Sequence, residues 1–175
     1  LYLRGLDAPI LEKFLERDTL VAGICNGFQV VTAAQILPGA LVANDGARYS
    51  CRWVDLKVVG NPRQGGARSP WLVGIENISL PIAHGEGRYI IDKKNKPKVA
   101  FRYSKGAICN YQNLEKNPNG AEEDIAGILG YNGRVLGIMP HPERSMFKEQ
   151  SPLFFKMKRE GIKMKEGAGI VLFRN

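Results

Sequence analysis

The apolar positions of this chain fall into short runs and helical stripes, separated by polar loops that contain glycine or proline. Residues 8–17 place their apolar side chains on one helical face behind Asp7, which can serve as the N-cap, and so predict a helix. Residues 20–24 are a continuous apolar run, which is typical of a buried strand. Residues 27–37 predict a second helix that ends before Pro38. The chain thus begins with a helix, a strand, a sharp turn and a helix.

The remainder of the chain is richer in predicted strands. Alternating or continuous apolar runs predict strands at residues 53–59, 78–83, 98–103, 125–129 and 135–139. Loops are expected at residues 60–70, 92–97 and 114–123. None of these loops is long enough to link two domains, and no internal repeat is visible. The pattern therefore predicts a single layered α/β domain over residues 1–175.

The composition is that of a soluble globular protein, because 44% of the 175 residues are hydrophobic and 24% are charged. No apolar run reaches the roughly 18 residues that a membrane-spanning helix needs, so no membrane association is expected. The three cysteines form neither a disulfide framework nor a Cys-x-x-Cys pair, which favours a reducing, cytoplasmic setting. Since the chain has only two histidines as well, no metal site is expected.

The net charge of +8 is concentrated near the end of the chain. Residues 144–175 contain eight Lys or Arg and three Glu, interleaved with Phe, Met and Leu. The basic C-terminal segment, residues 146–175, is interpreted as a solvated face with an amphipathic surface helix near residues 153–159. Docking of an acidic partner on this segment is the alternative. No nucleic-acid-binding motif accompanies the charge, so nucleic acid is not an expected partner.

Candidate chemistry begins with Gly-Ile-Cys-Asn-Gly at residues 23–27, where the predicted strand gives way to the predicted helix. A nucleophile at the tip of such a turn has a strained backbone. The positions two residues away, here Gly23 and Gly27, are expected to require small residues, because larger side chains would collide. The helix N-terminus is expected to lower the pKa of the Cys25 thiol. The Asn26 N–H would face a developing oxyanion. From these residues alone, a small packed cysteine is an equally good interpretation.

The sequence Met-Pro-His-Pro-Glu-Arg at residues 139–144 supplies a candidate base. Its two prolines favour an extended backbone at His141, and residues two apart then lie on one side, so Glu143 can contact the imidazole. A carboxylate on one ring nitrogen fixes the tautomer and leaves the other nitrogen to accept a proton from a thiol. An incidental surface turn is the simpler interpretation for a lone histidine. Alongside the cysteine turn, the catalytic interpretation is preferred.

Together these motifs carry a resemblance to known proteins. Gly-x-Cys-x-Gly-x-Gln at residues 23–29, followed downstream by His-Pro-Glu, resembles the class I (triad) glutamine amidotransferases. Three longer stretches, PIAHGEGRY at 81–89, NPNGAEEDIAGI at 117–128 and GIMPHPER at 137–144, narrow the match. They resemble the family of glutaminase subunits of phosphoribosylformylglycinamidine synthase. The resemblance extends from about residue 1 to residue 145.

The resemblance implies a role for each matching residue. Cys25 would be the nucleophile, His141 the general base and acid, and Glu143 the carboxylate that orients the imidazole. The backbone N–H of Asn26 would be an oxyanion donor. The residues expected to hold the glutamine substrate are Gln29, Gly85 and Glu86. His84 is expected to orient its loop rather than to touch the substrate.

The resemblance also implies a fold and a function. The fold would be a flavodoxin-like layered domain with a mostly parallel central sheet, in which the family's early strands and a second oxyanion-donating loop are expected to be missing. Glutamine would be hydrolysed, and the ammonia passed to a synthetase subunit that converts formylglycinamide ribonucleotide to its amidine in purine biosynthesis. No phosphate-binding Gly-x-x-x-x-Gly-Lys motif is present, so ATP and Mg²⁺ are expected on that partner and no cofactor in this chain. A small accessory subunit is a further expected partner.

Two rival functions stay open at this point. A γ-glutamyl peptide hydrolase shares the cysteine turn and the His-x-Glu arrangement, and it would act without a partner. A catalytically impaired fragment that only binds a partner subunit is the other alternative. The roles of Cys51 and Cys109 are expected to be structural, as small buried side chains.

Overall fold

The computed structural model describes residues 13–17, 19–59 and 69–174 of the chain. Its eight strands are β1 (Val21–Ile24), β2 (Ala40–Val42), β3 (Ser50–Val58), β4 (Asn77–His84), β5 (Arg88–Ile90), β6 (Lys98–Ser104), β7 (Ile125–Gly130) and β8 (Val135–Ile138). The helices that lie wholly within these residues are α1 (Asn26–Ala33), α2 (Ala107–Gln112), α3 (Phe154–Arg159) and α4 (Ile170–Arg174). Residues 13–16 are helical as well.

Six strands form one sheet in the order β1-β8-β7-β6-β3-β4, and β2 pairs with β5 in a separate ribbon. In the six-stranded sheet β1 and β8 are parallel, whereas the other four neighbouring pairs are antiparallel. The prediction of a mostly parallel sheet is therefore wrong for the described residues. Short connections explain the difference. Residues 131–134 join β7 to β8, and a parallel crossover needs about a dozen residues or more.

The parallel pair brings two distant parts of the sequence to one edge of the sheet. Val21 lies opposite Val135, and Ile24 lies opposite Ile138. The chain leaves β1 directly into Cys25 and leaves β8 toward His141. Because parallel strands end at the same edge, this register places both candidate catalytic residues on one side of the domain.

The core lies between the sheet and the helices that cover it. All six residues of β7 except the terminal Gly130 are buried, as are all four residues of β8, so the centre of the sheet is covered on both faces. The ring of Phe28 on α1 is fully buried and stacks on Tyr89 of β5 with the ring centroids 5.8 Å apart. The helix that begins at the candidate nucleophile is thereby anchored in the core.

A buried carboxylate holds α2 in place. Asp55, in the middle of β3, is 6% exposed and accepts a hydrogen bond of 2.7 Å from the hydroxyl of Ser79. Its other oxygen accepts from the backbone N–H groups of Gly106 at 3.0 Å and Cys109 at 2.8 Å. These N–H groups belong to the first turn of α2 and to the residue before it, where a helix leaves donors without partners. Asp55 therefore caps a helix from outside that helix.

The predicted elements are largely found, with shifted ends. The predicted strands correspond to β1, β3, β4, β6, β7 and β8, and the predicted surface helix corresponds to α3. Helix α1 ends at Ala33, earlier than expected, because Gln35 has a positive φ of 60°. Most of the first predicted helix, including Asp7, and most of the loop at 60–70 lie outside the described residues. The elements that the sequence did not indicate are β2, β5, α2 and α4.

Candidate active site

The backbone turns sharply at Cys25, which connects β1 to α1. Cys25 has φ 51° and ψ −105°, a combination that L-residues rarely adopt. Its N–H donates to the carbonyl of Ile138 in β8 at 2.8 Å, and its carbonyl accepts from Phe28 at 3.0 Å in α1. This strained residue is therefore held by the end of β1 and by hydrogen bonds to β8 and α1.

The two glycines that flank the turn are not equivalent. A Cβ on Gly23 would lie 2.7 Å from the carbonyl oxygen of Gly27, whereas a Cβ on Gly27 would meet nothing within 4 Å. The expectation that both positions must be small is therefore correct for Gly23 and wrong for Gly27. The strand-side glycine lets the helix approach the strand, and the helix-side glycine faces open space.

The electrostatic setting of the thiol differs from the expected one. Burial raises the pKa of Cys25 above its ordinary value, and the nearby carboxylate of Glu143 adds to that rise. The N–H of Asn26 and the positive charge of Arg144 lower the pKa, but they do not offset burial. The prediction of a lowered pKa is thus wrong in direction. Burial removes water that would stabilise the thiolate, and the hydrogen bond from one N–H does not compensate for that loss. Nucleophilic attack by a thiol with a raised pKa would require a base.

The candidate base is held by a carboxylate two residues later. Nδ1 of His141 lies 2.5 Å from Oε1 of Glu143, in the turn that follows β8. The His141 N–H donates to the carbonyl of Pro81 in β4 at 2.8 Å. His141 is 8% exposed, and its Nε2 is buried without a hydrogen-bond partner among the described residues. The ring is therefore fixed on one side and ready to exchange a proton on the other.

Cys25 and His141 make no hydrogen bond to one another in the described part of the chain. Sγ of Cys25 lies 3.9 Å from the carbonyl oxygen of Ala83, a residue of the same strand that holds the His141 backbone. Catalytic contacts are often loose in an unliganded site and tighten when the substrate binds. The strand β4 thus borders the nucleophile and the base together.

The substrate loop proposed from the sequence, hereafter the HGEG loop (residues 84–87), begins at the last residue of β4. Nε2 of Gln29 on α1 donates to the carbonyl of Glu86 at 2.7 Å, so this side chain ties the helix of the nucleophile to the loop. Gly85 is half-buried and Glu86 is exposed. The structure therefore brings Gln29, Gly85 and Glu86 together. Contact of these residues with glutamine stays a prediction.

His84 is a buried member of this loop. It is 3% exposed, and its Nδ1 lies 3.1 Å from Oδ1 of Asn44. Burial, together with a smaller effect of the nearby His141, lowers the pKa of His84 to about 4. The imidazole is therefore neutral at physiological pH. Its contacts support the expected role in orienting the loop.

Two asparagines that the sequence did not single out contact the HGEG loop. Asn44, just before a short 3₁₀ helix at Asp45–Ala47, is 4% exposed, and Asn119 is 1% exposed. Asn119 belongs to the Asn-Pro-Asn-Gly stretch that contributed to the family resemblance, but no pattern assigned it a contact. No sequence signal marked Asn44, since a polar residue between two short elements normally indicates only a turn.

Metal binding and membrane insertion find no support in the described part of the chain. It contains no group of three or more His, Cys, Asp or Glu side chains arranged to hold a metal ion. Among its helices, none combines the length and the apolar character that crossing a bilayer requires.

This chain is similar to known proteins over most of its length. The family described as the CobB/CobQ-like glutamine amidotransferase domain matches residues 8–175. The phosphoribosylformylglycinamidine synthase subunit PurQ of Pyrococcus furiosus is 40% identical over 162 residues, which cover 90% of this chain and 66% of that protein. PurQ of Cereibacter sphaeroides is 42% identical over 149 residues, which cover 82% of this chain and 61% of that protein.

A solved structure, that of PurLQS from Thermotoga maritima, resembles this fold with a TM-score of 0.65 and 35% identity. The likeness covers 94% of this chain and 63% of that one, and it confirms the predicted fold class. The chain thus spans a little under two thirds of the length of these relatives. The resemblance to the glutaminase subunits named from the motifs is also confirmed. With a family match over nearly its whole length, the chain belongs to the CobB/CobQ-like glutamine amidotransferase domain family.

Proposed function

We propose that this chain is the glutaminase subunit of phosphoribosylformylglycinamidine synthase, and that it releases ammonia from the side-chain amide of glutamine. One observation carries the proposal. The parallel pairing of β1 with β8 presents a strained cysteine and a carboxylate-bound histidine at the same edge of the sheet. A nucleophile, a base and an orienting carboxylate in this arrangement suit acyl transfer.

The first half of the reaction forms a thioester. Nε2 of His141 takes the proton of the Cys25 thiol as the sulfur attacks the side-chain carbonyl carbon of glutamine. The negative charge that develops on the carbonyl oxygen is stabilised by the N–H of Asn26. The tetrahedral intermediate collapses when the imidazolium of His141 gives its proton to the departing nitrogen. Ammonia leaves, and a γ-glutamyl thioester remains on Cys25.

The second half restores the enzyme. His141, neutral again, removes a proton from water, and the resulting hydroxide attacks the thioester carbonyl. The carbon–sulfur bond breaks, glutamate leaves, and the proton returns from His141 to the sulfur of Cys25. Throughout, Glu143 holds the imidazole in one tautomer and stabilises its charged form. The raised pKa of the thiol makes this base necessary in the first step.

The ammonia would be consumed by a partner. The relatives are named as subunits of phosphoribosylformylglycinamidine synthase, and the similar solved structure is titled PurLQS. We infer that a synthetase subunit converts formylglycinamide ribonucleotide to its amidine with ATP and Mg²⁺, and that a small accessory subunit joins the complex. Within this chain we expect one domain over residues 1–175 and no cofactor. A cytoplasmic location suits its three free cysteines and this pathway.

The experiment is a glutaminase assay of this chain with and without the synthetase subunit. We expect partner-dependent release of ammonia from glutamine, and covalent labelling of Cys25 by a glutamine-analogue electrophile. Replacing the nucleophile, Cys25→Ala, should lower turnover by at least about 1,000-fold and leave partner binding unchanged.

Two outcomes would point elsewhere. Cleavage of γ-glutamyl peptides without a partner would favour a γ-glutamyl peptide hydrolase. A complex that forms but in which Cys25 is never labelled would favour the catalytically impaired, partner-binding fragment.

A further inference from the structure

All four backbone carbonyls of the HGEG loop accept hydrogen bonds from outside the loop. The carbonyl of His84 accepts from Nδ2 of Asn44 at 2.9 Å, and that of Gly85 accepts from the Asn44 N–H, also at 2.9 Å. The two later carbonyls accept at 2.7 Å each, that of Glu86 from Gln29 and that of Gly87 from Asn119. Four consecutive carbonyls are therefore committed to donors that come from three separate parts of the chain.

Asn44 organises most of these contacts. Its Nδ2 donates to the carbonyls of Arg48 at 2.8 Å and His84, which fixes the orientation of the amide. Its Oδ1 must then be the acceptor for the Gly87 N–H at 2.9 Å and for Nδ1 of His84. The imidazole is thus fixed as the Nδ1–H tautomer. A single buried side chain contacts both ends of the loop.

Asn119 holds the far end of the loop from a rigid support of its own. Its Oδ1 accepts from the N–H of Ala121 at 3.0 Å, and its Nδ2 also lies 3.3 Å from the hydroxyl of the buried Tyr103. Its own carbonyl accepts from the N–H of Asp45 at 2.9 Å, beside Asn44. The two asparagines therefore belong to one connected network.

This network decides which backbone groups of the loop stay available. In the described residues, the N–H groups of Gly85 and Glu86 make no hydrogen bond to the protein. Because the N–H of Gly87 is already bound to Asn44, the N–H groups of Gly85 and Glu86 are the donors of residues 85–87 that can bind an anion. A pair of successive N–H groups suits a carboxylate. The α-carboxylate of glutamine is such a group.

We propose that Asn44 and Asn119 are positioning residues that hold the HGEG loop in its glutamine-binding conformation, with the N–H groups of Gly85 and Glu86 turned to the α-carboxylate. The inference rests on the proposed glutaminase function. Neither asparagine touches the reacting atoms, so each acts through the loop. Their loss should weaken the binding of glutamine and leave the chemistry at Cys25 intact.

The test uses this chain in complex with its synthetase subunit and the variants Asn44→Ala, Asn44→Asp and Asn119→Ala. Each variant loses between one and three hydrogen bonds to the loop, so the KM for glutamine should rise about tenfold or more. The kcat should change by less than about threefold, because the triad is untouched. Glutamine protection of Cys25 against iodoacetamide provides a binding readout without turnover. The glutamine concentration that protects half of the Cys25 thiols, hereafter half-protection, should rise by a similar factor.

The matched control is Gln112→Ala. Gln112 also donates its side-chain amide to backbone carbonyls, those of Trp53 at 3.1 Å and Ile108 at 3.3 Å, but it lies away from the loop. The variant Gln112→Ala should leave the KM for glutamine and half-protection unchanged. Amide hydrogen exchange should be faster at Gly87 in Asn44→Ala than in Gln112→Ala, because the N–H of Gly87 loses its acceptor.

The outcomes separate the two proposals. If glutamine protects the unmodified complex but all three asparagine variants show unchanged half-protection, the positioning role is wrong. A fall in kcat and alkylation rate together with unchanged KM would also overturn it, since that pattern indicates damage to the triad. If glutamine does not protect Cys25 even in the unmodified complex, the glutaminase function itself fails. Asn44→Asp and Asn119→Ala keep the test valid should Asn44→Ala fail to fold.

Discussion

Glu143 acts on the catalytic site in two opposing ways through its contact with His141. Its Oε1 lies 2.5 Å from Nδ1 of His141, which fixes the imidazole and supports its charged form. The same carboxylate raises the pKa of the Cys25 thiol, because its negative charge disfavours the thiolate. The residue that orients the candidate base thus also adds, after burial, to the rise in the pKa of the candidate nucleophile.

The variant Glu143→Gln should therefore separate thiol reactivity from turnover. Loss of the negative charge should lower the pKa of Cys25, so that the pH midpoint of iodoacetamide alkylation moves to lower pH. Turnover should fall by about 100-fold or more, because the imidazolium loses its carboxylate and the tautomer is no longer fixed. Arg144→Ala should move the alkylation midpoint to higher pH, since the positive charge of Arg144 lowers the thiol pKa.

The exposed Glu149 serves as a control for both variants. Glu149→Gln removes an exposed carboxylate of the same chemistry that is not among the groups that shift the Cys25 pKa, and it should leave the midpoint in place. An alkylation midpoint that rises in Glu143→Gln would contradict the charge argument.

The two glycines of the turn should respond differently to alanine. Gly23→Ala places a Cβ 2.7 Å from a backbone oxygen of α1, and the resulting clash should cost about 2 to 3 kcal/mol of unfolding free energy. Gly27→Ala meets open space inside a helix, so stability should stay within about 1 kcal/mol or rise slightly. Urea unfolding of the two variants measures the difference. Equal destabilisation by both would show that the turn needs two small residues after all.

Removal of the carboxylate that caps α2 should be strongly destabilising. Asp55→Ala leaves buried N–H groups of Gly106 and Cys109 without an acceptor, so the unfolding free energy should fall by about 3 kcal/mol. Asp92→Ala is the control, because Asp92 accepts one N–H, that of Lys94, in an exposed turn. Its effect should stay within about 0.5 kcal/mol. Similar losses in the two variants would rule out the capping role.

Stability should depend on pH through His84. The pKa of His84 is lowered from 6.5 to about 4 in the folded protein, so between these values the unfolded chain binds the proton more readily. The contribution of His84 to the unfolding free energy is therefore at its maximum above pH 6.5. It decreases as the pH falls toward 4. The loss should be about 3 kcal/mol. His84→Gln should flatten the pH dependence of the urea midpoint in this range, and an unchanged slope would refute the assignment.

The geometry of the candidate catalytic residues could be predicted from the sequence because it is local. Cys25 lies in a five-residue turn with its own steric rule, and His141 and Glu143 are two residues apart, so short-range geometry already brings them together. The buried strands were predicted for a similar reason, because an apolar run such as β7 needs no distant partner to be recognised.

The parts that the sequence did not predict depend on distant contacts. Helix α2 has only six residues and takes its cap from Asp55, which is about fifty positions earlier in the chain. Asn44 contacts the HGEG loop forty positions later, and no local pattern marks such a bond. The direction of the shift in the Cys25 pKa was also mispredicted. The sequence indicates that a helix begins at this residue, whereas the burial of the thiol depends on the assembled fold.

The parallel register of β1 and β8 also has a consequence for folding. It pairs Val21 with Val135, so the site depends on a contact across most of the chain, and a contact of this kind has a high entropic cost of loop closure. The antiparallel strands between them can assemble earlier from shorter loops. We therefore expect the edge that carries Cys25 and His141 to form late as the chain folds. A folding intermediate that lacks this pairing would have most of its sheet, while Cys25 and His141 would not yet lie at one edge.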